Sequence, residues 1–178
     1  MTIYYSEFPN LRDSNHRPTS DPTSEENCIA HAIGACGEWW EPVFGRIWPA
    51  GAPYYNYKIE SLVYVYERLG FIVCESSEWE PEFEKIAIYG KDGVYTHAAR
   101  QLPKSVAWTS KLGPDDDISH TTLDVLVGGS YGTVVKIMKR PRRYDDQTKC
   151  CEAPAEPAQQ PDSPSIREDR RGDATSEA

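Results

Sequence analysis

Phe83-Glu84-Lys85-Ile86-Ala87-Ile88-Tyr89-Gly90-Lys91-Asp92-Gly93-Val94-Tyr95-Thr96-His97-Ala98-Ala99-Arg100-Gln101-Leu102 is the stretch that decides the fold. Its first part alternates, with Phe83, Lys85, Ala87 and Tyr89 on one face and Glu84, Ile86 and Ile88 on the other. Period-two alternation is the mark of a strand, because successive side chains point to opposite faces. Lys91-Asp92-Gly93 is a hairpin turn signal, since Asp and Gly tolerate the positive φ that tight hairpins require. The chain therefore returns through 94–102 as an antiparallel partner, with Tyr95, His97 and Gln101 expected on one face. Pro103-Lys104 turns it again into a third strand over 106–112.

Working outward, a helix is expected over 24–36. Thr23 and Glu26 have capping-box spacing, and Gly37 stops the run. A second helix over 58–69 carries Ile59, Leu62, Val63, Tyr66 and Leu69 at helical spacing, with Gly70 after it. A short strand over 71–74 precedes the hairpin. Asp115, Asp116 and Asp117 predict the start of a third helix over 116–127, because acids favour a helix N-terminus. A final strand follows over 131–139. The expected fold is α+β, with N-terminal helices packed on an antiparallel sheet. Residues 1–140 make one domain, and the proline-rich, weakly apolar 141–178 has the composition of a disordered tail.

The chain has 178 residues and a net charge of −9. An acidic body argues against nucleic-acid binding, which needs clustered Lys and Arg. No apolar run is long enough to span a membrane and no signal-peptide core is present, so a cytoplasmic protein is expected. The five cysteines, 28, 36, 74, 150 and 151, have no regular spacing, which suits reduced thiols better than a disulfide framework.

Cys28 and His97 carry the chemistry. A thiol in the first turn of a helix is near the positive end of the helix dipole, which favours the thiolate. An imidazole on a strand facing it would act as its base. Ser110, on the next strand, is the candidate to orient His97, and Asp115 to Asp117 are a second source of an orienting carboxylate. The bland alternatives are a buried structural thiol and a satisfied core histidine. Asn27 could donate its amide toward an oxyanion, and its alternative is a polar residue of the first turn. Trp39, Trp40 and Gln101 are candidates for contact with substrate. The aromatic segment 39–57 reads either as a recognition groove or as a loop held down by its own rings. A metal at Cys28 and His31, completed by His97 or His120, lacks the second ligand pair of ordinary zinc spacing. No metal or cofactor is therefore expected.

The stretches Asn27-Cys28-Ile29-Ala30-His31-Ala32, Phe83 to Tyr89, Thr96-His97-Ala98-Ala99-Arg100-Gln101-Leu102 and Trp108-Thr109-Ser110-Lys111-Leu112-Gly113 resemble those of an uncharacterised bacterial family. The order Cys28, His97, Ser110 more loosely resembles the papain-like superfamily, including the NlpC/P60-type amidases. That resemblance implies a papain-like fold and a thiol hydrolase or acyltransferase acting on a peptide or small amide or acyl substrate. The chain departs from the pattern in having no Asn or Gln a few residues before Cys28, and Ser in third place. The alternative is an inactive binding module, of a toxin-associated or immunity type, that meets a basic protein partner through an aromatic surface.

Overall fold

The computed structural model describes residues 7–142. One antiparallel sheet dominates it, built from β1 (His16–Pro18), β2 (Ile72–Cys74), β3 (Phe83–Lys91), β4 (Val94–Gln101), β5 (Trp108–Lys111), β6 (Asp117–His120) and β7 (Thr133–Pro141). The strand order is β1-β6-β5-β4-β3-β7-β2. Among the described residues there are two α-helices, α1 (Cys28–His31) and α2 (Ile59–Arg68), with one turn of 3-10 helix at Leu123–Leu126.

The expected α+β, papain-like arrangement is therefore corrected. The molecule is a seven-stranded antiparallel sheet with two short helices beside it. Two local causes are visible. The first helix is only four residues long, because the backbone enters the left-handed region at Gly34 (φ 74°) and again at Gly37 (φ 73°). Its cap is Asn27, whose Oδ1 accepts from Ala30 N–H at 3.2 Å, and not the expected Thr23–Glu26 box. The expected third helix over 116–127 is instead β6 at Asp117–His120 followed by the 3-10 turn at Leu123–Leu126. Asp117, Ile118, Ser119 and His120 pair with Lys111, Ser110, Thr109 and Trp108, and burial inside the sheet overrides the N-terminal acid signal. The tail over 143–178, with Cys150 and Cys151, lies outside the described residues.

The hairpin forms as its sequence suggests. Asp92 and Gly93 take φ of 52° and 81°, as a two-residue turn between twisted strands requires. α2 buries Leu62, Val65 and Tyr66, one stripe of its surface. Each face of the sheet is covered. On the helix face, Ile29, Leu62, Val65, Tyr66, Phe71, Ile86, Ile88, Ala98 and Met138 form one core. On the opposite face, Phe8, Leu11, Ala87, Tyr89, Ala99, Trp108, Ile118 and Leu126 form another.

One irregularity controls the site. Tyr89 pairs with His97 but Gly90 pairs with Tyr95, so Thr96 is an extra residue on β4. Such a bulge interrupts the alternation. Tyr95 joins the helix-face core, while Thr96 donates to the Tyr131 carbonyl at 2.6 Å and His97 stacks on the Tyr131 ring. The expectation that Tyr95 and His97 share a face is corrected by this bulge.

Candidate functional site

Cys28 and His97 stand on opposite faces of the sheet. Cys28 begins α1 and packs, half-buried, against the helix-face core. Burial pushes its thiol up to about 11, and the nearby backbone groups of Ala98, Cys28 and Ile29 offset this only in part. His97 is fully buried on the other side. Its ring stacks on Tyr131 at 4.1 Å and 5°, with Tyr89 edge-on at 5.4 Å. Neither ring nitrogen has a hydrogen-bond partner among the described residues. Burial, reinforced by His120 and His31, holds the imidazole well below its ordinary pKa.

Ser110 is buried too, and its hydroxyl meets His120 Nε2 at 2.9 Å instead of His97. His120 Nδ1 donates to the Thr122 carbonyl at 2.8 Å. Burial lowers the His120 pKa to about 4. Asn27 uses both ends of its amide. Oδ1 also accepts from Trp40 N–H at 3.3 Å, and Nδ2 donates to the Trp40 carbonyl at 2.6 Å. Trp39 donates to Glu41 at 3.0 Å, with Arg46 over its ring at 5.4 Å. Trp40 packs on the helix-face core, and Trp48 lies inside it. The tryptophans thus hold the 39–57 segment down, while Phe44, Tyr54 and Tyr55 are exposed.

A second constellation gathers on the helix face, where the sequence reading did not look. His31, fully buried in α1, directs Nε2 at Thr109 Oγ1 of β5 at 3.0 Å. Its Nδ1 is 3.3 Å from Glu26 Oε1 and 3.9 Å from Asp117 Oδ2. Glu26 Oε2 accepts from Gly37 N–H at 3.1 Å. Lys111, also fully buried, stands 3.9 Å from Asp117 Oδ1 and donates to the Asp115 carbonyl. Glu26 is lowered, because hydrogen bonds from His31 and Gly37 outweigh its burial. Asp117 is raised, chiefly by burial. The Glu26, His31 and Asp117 donors lie within 4.8 Å of one another, close enough to share a cation. This group takes His31 from the Cys28–His31 pairing considered for a metal and gives it two carboxylates. Glu26 reads in the sequence as part of a capping box, and Asp117 as a helix-start acid or an orienting carboxylate for His97, so neither reads as a partner of His31.

A groove of about 490 Å³ opens on the other face, lined by Trp79, Gln101, Trp108, Thr121, Leu123 and Asp124, among others. Gln101 is 2% exposed. Its Nε2 donates to the Ser77 carbonyl at 3.0 Å, while its Oε1 has no hydrogen-bond partner among the described residues. Trp79 Nε1 is also unpartnered. Glu75, Glu78 and Asp124 add acidic groups around the groove. Gln101 was visible in the sequence as a face-mate of His97. Trp79 carried no signal, because it stands in an irregular segment before β3.

No helix among the described residues is long and apolar enough to cross a membrane. No curated protein and no solved structure matches the chain, so the resemblance to papain-like and NlpC/P60-type proteins has no support from relatives or from the sheet. The matching family model covers residues 17–139, and the chain accordingly belongs to the family described as domain of unknown function DUF7689.

Proposed function

We propose that the chain is a binding module for a peptide segment carrying a basic side chain, taken up in the groove over Gln101. The unpartnered Gln101 Oε1 carries this reading. A buried carbonyl left without a donor costs about 1–3 kcal/mol, and a side-chain shift that opens Oε1, closed to solvent as it stands, to a backbone N–H of an incoming chain would remove that cost. Trp79 Nε1–H would in turn meet a backbone carbonyl. One acceptor and one donor match the two groups every peptide unit offers. The groove falls within the roughly 300–1,000 Å³ range of small-ligand sites. Glu75, Glu78 and Asp124 suit a cationic side chain.

The thiol hydrolase reading needs Cys28 and His97 to meet and the thiol to ionise. The sheet between them and the raised thiol weigh against it.

Titration of tryptophan fluorescence with blocked tetrapeptides that differ only in one Lys, Glu or Leu tests the proposal. The Lys peptide should bind, weaken in salt, and lose at least about tenfold in affinity in Gln101→Leu, a loss of roughly 1.4 kcal/mol. Equal responses to all three peptides, or an unaffected variant, would overturn it. Alkylation of Cys28 against pH tests the competing reading. A thiolate forming well below the free value of about 8.5, and shifting in His97→Ala, would restore the hydrolase.

A further inference from the structure

We propose that Glu26, His31 and Asp117 form a structural zinc site that clasps the segment before α1, α1 itself and β6 together. Three observations carry it, and none depends on the groove. The first is spacing. Zinc bonds to nitrogen and oxygen are about 2.0–2.2 Å long, so tetrahedral ligands are roughly 3.3–3.6 Å apart. His31 Nδ1 stands 3.3 Å from Glu26 Oε1 and 3.9 Å from Asp117 Oδ2. Glu26 and His31 lie within hydrogen-bonding reach of each other, so zinc would take the place of the proton they share.

The second is orientation. His31 Nε2 is held by Thr109 Oγ1 at 3.0 Å, which leaves Nδ1 as the ligating nitrogen. Glu26 is steered by the Gly37 N–H at 3.1 Å. Metal-binding imidazoles and carboxylates are fixed by outer partners of this kind. The third is the orphaned carboxylate oxygen. Asp117 is 6% exposed; its Oδ2 is the oxygen near His31, while its Oδ1, near Lys111, has no hydrogen-bond partner among the described residues, so the carboxylate as a whole is left incompletely satisfied. Lys111 is the nearby competitor for that oxygen, but at 3.9 Å it does not close a bond, and it is engaged with the Asp115 carbonyl. A mixed imidazole and carboxylate set suits zinc better than calcium or magnesium, which take oxygen ligands. The fourth position falls to a water. Three protein ligands and a water are also the set of a catalytic zinc, but burial of all three ligands here closes the water position to substrate and marks the site as structural.

The test uses the full chain, purified without a histidine tag, stripped with chelator and dialysed against zinc chloride alone. Metal content and thermal melting are then measured. The expected result is one zinc per chain, a melting temperature raised by several degrees, and no such rise with magnesium or calcium. Glu26→Gln and Asp117→Asn should each weaken zinc at least tenfold, and Cys28→Ser should leave it unchanged. Glu26→Gln keeps size and polarity, so it reports on binding even if Asp117→Asn fails to fold. Zinc content below a tenth of an equivalent with no shift in melting would overturn the proposal. So would zinc retained in Glu26→Gln but lost in Cys28→Ser, or a rise with magnesium or calcium in place of zinc.

Discussion

Thr109 and Ser110 are neighbours on β5, and each holds a histidine by a hydroxyl on Nε2, at 3.0 Å for His31 and 2.9 Å for His120. They point to opposite faces, and the two faces handle an imidazole in opposite ways. On the helix face, His31 stands among Glu26, Asp117 and Lys111. On the other face, His120 and His97 are buried with no carboxylate within ion-pair distance among the described residues, and His97 lies between tyrosine rings. One face gives its histidine charged neighbours. The other keeps its two buried histidines among uncharged ones and holds its own buried cation, Lys85, against Glu80 at 2.6 Å.

The strongest way to break this contrast is to empty the charged face of its cation. Lys111→Met removes the buried ammonium that stands 3.9 Å from Asp117 Oδ1, as close as His31 stands to Oδ2, and removing one member of a buried pair costs about 3–5 kcal/mol. Urea unfolding should show that loss, and a change below about 1 kcal/mol would mean that Lys111 and Asp117 are not a coupled pair.

Acid should act on the other face. The His120 pKa is depressed to about 4 in the folded chain, against about 6.5 when unfolded. The unfolded state therefore takes up the proton first as pH falls. Stability is fully present above about 6.5 and is lost down to about 4, by on the order of 3 kcal/mol for His120. His97, lowered in the same direction, adds to this loss. His97→Phe keeps a ring against Tyr131 and should flatten the acid limb of a stability–pH curve. An unchanged curve would show that His97 does not contribute to it.

The hydroxyls sharpen the comparison further. Ser110→Ala removes a bond to a histidine with no acid beside it and should cost about 1 kcal/mol, whereas Thr109→Val loosens the histidine between two carboxylates and should cost about 1.5–3 kcal/mol. Equal losses would erase the distinction between the faces. Phe44→Ser provides the baseline. At 90% exposed it should move stability by less than about 0.5 kcal/mol.

Much of the sheet was legible because its signals are local. Asp92-Gly93 specifies its own turn, and Ile86 and Ile88 separate from Ala87 and Tyr89 by simple alternation. α2 follows from the spacing of Ile59, Leu62, Val63, Tyr66 and Leu69, of which Leu62 and Tyr66 are buried, while buried Val65 stands outside that set. The misreadings share one cause, since they depend on partners distant in sequence. The acids before Ile118 look like a helix start until Lys111 is placed across from Asp117. The extra Thr96 is invisible until Tyr89 and Gly90 choose their partners, and that choice turned His97 away from Cys28. The Glu26–His31–Asp117 group needs α1 to dock on β5 and β6 before it exists at all.

The sheet ends in β1 on one side and β2 on the other, and each is three residues long. At about 3.3 Å per residue, each rim offers only some 10 Å of open ladder, although Ile72 and Val73 on β2 are exposed. Pro18 removes one donor from the β1 rim. Short and proline-blunted borders make poor templates for a neighbouring chain. The long inner strands β3, β4 and β7 are thereby kept out of fibre-like self-association, and crowded conditions should leave the protein dispersed.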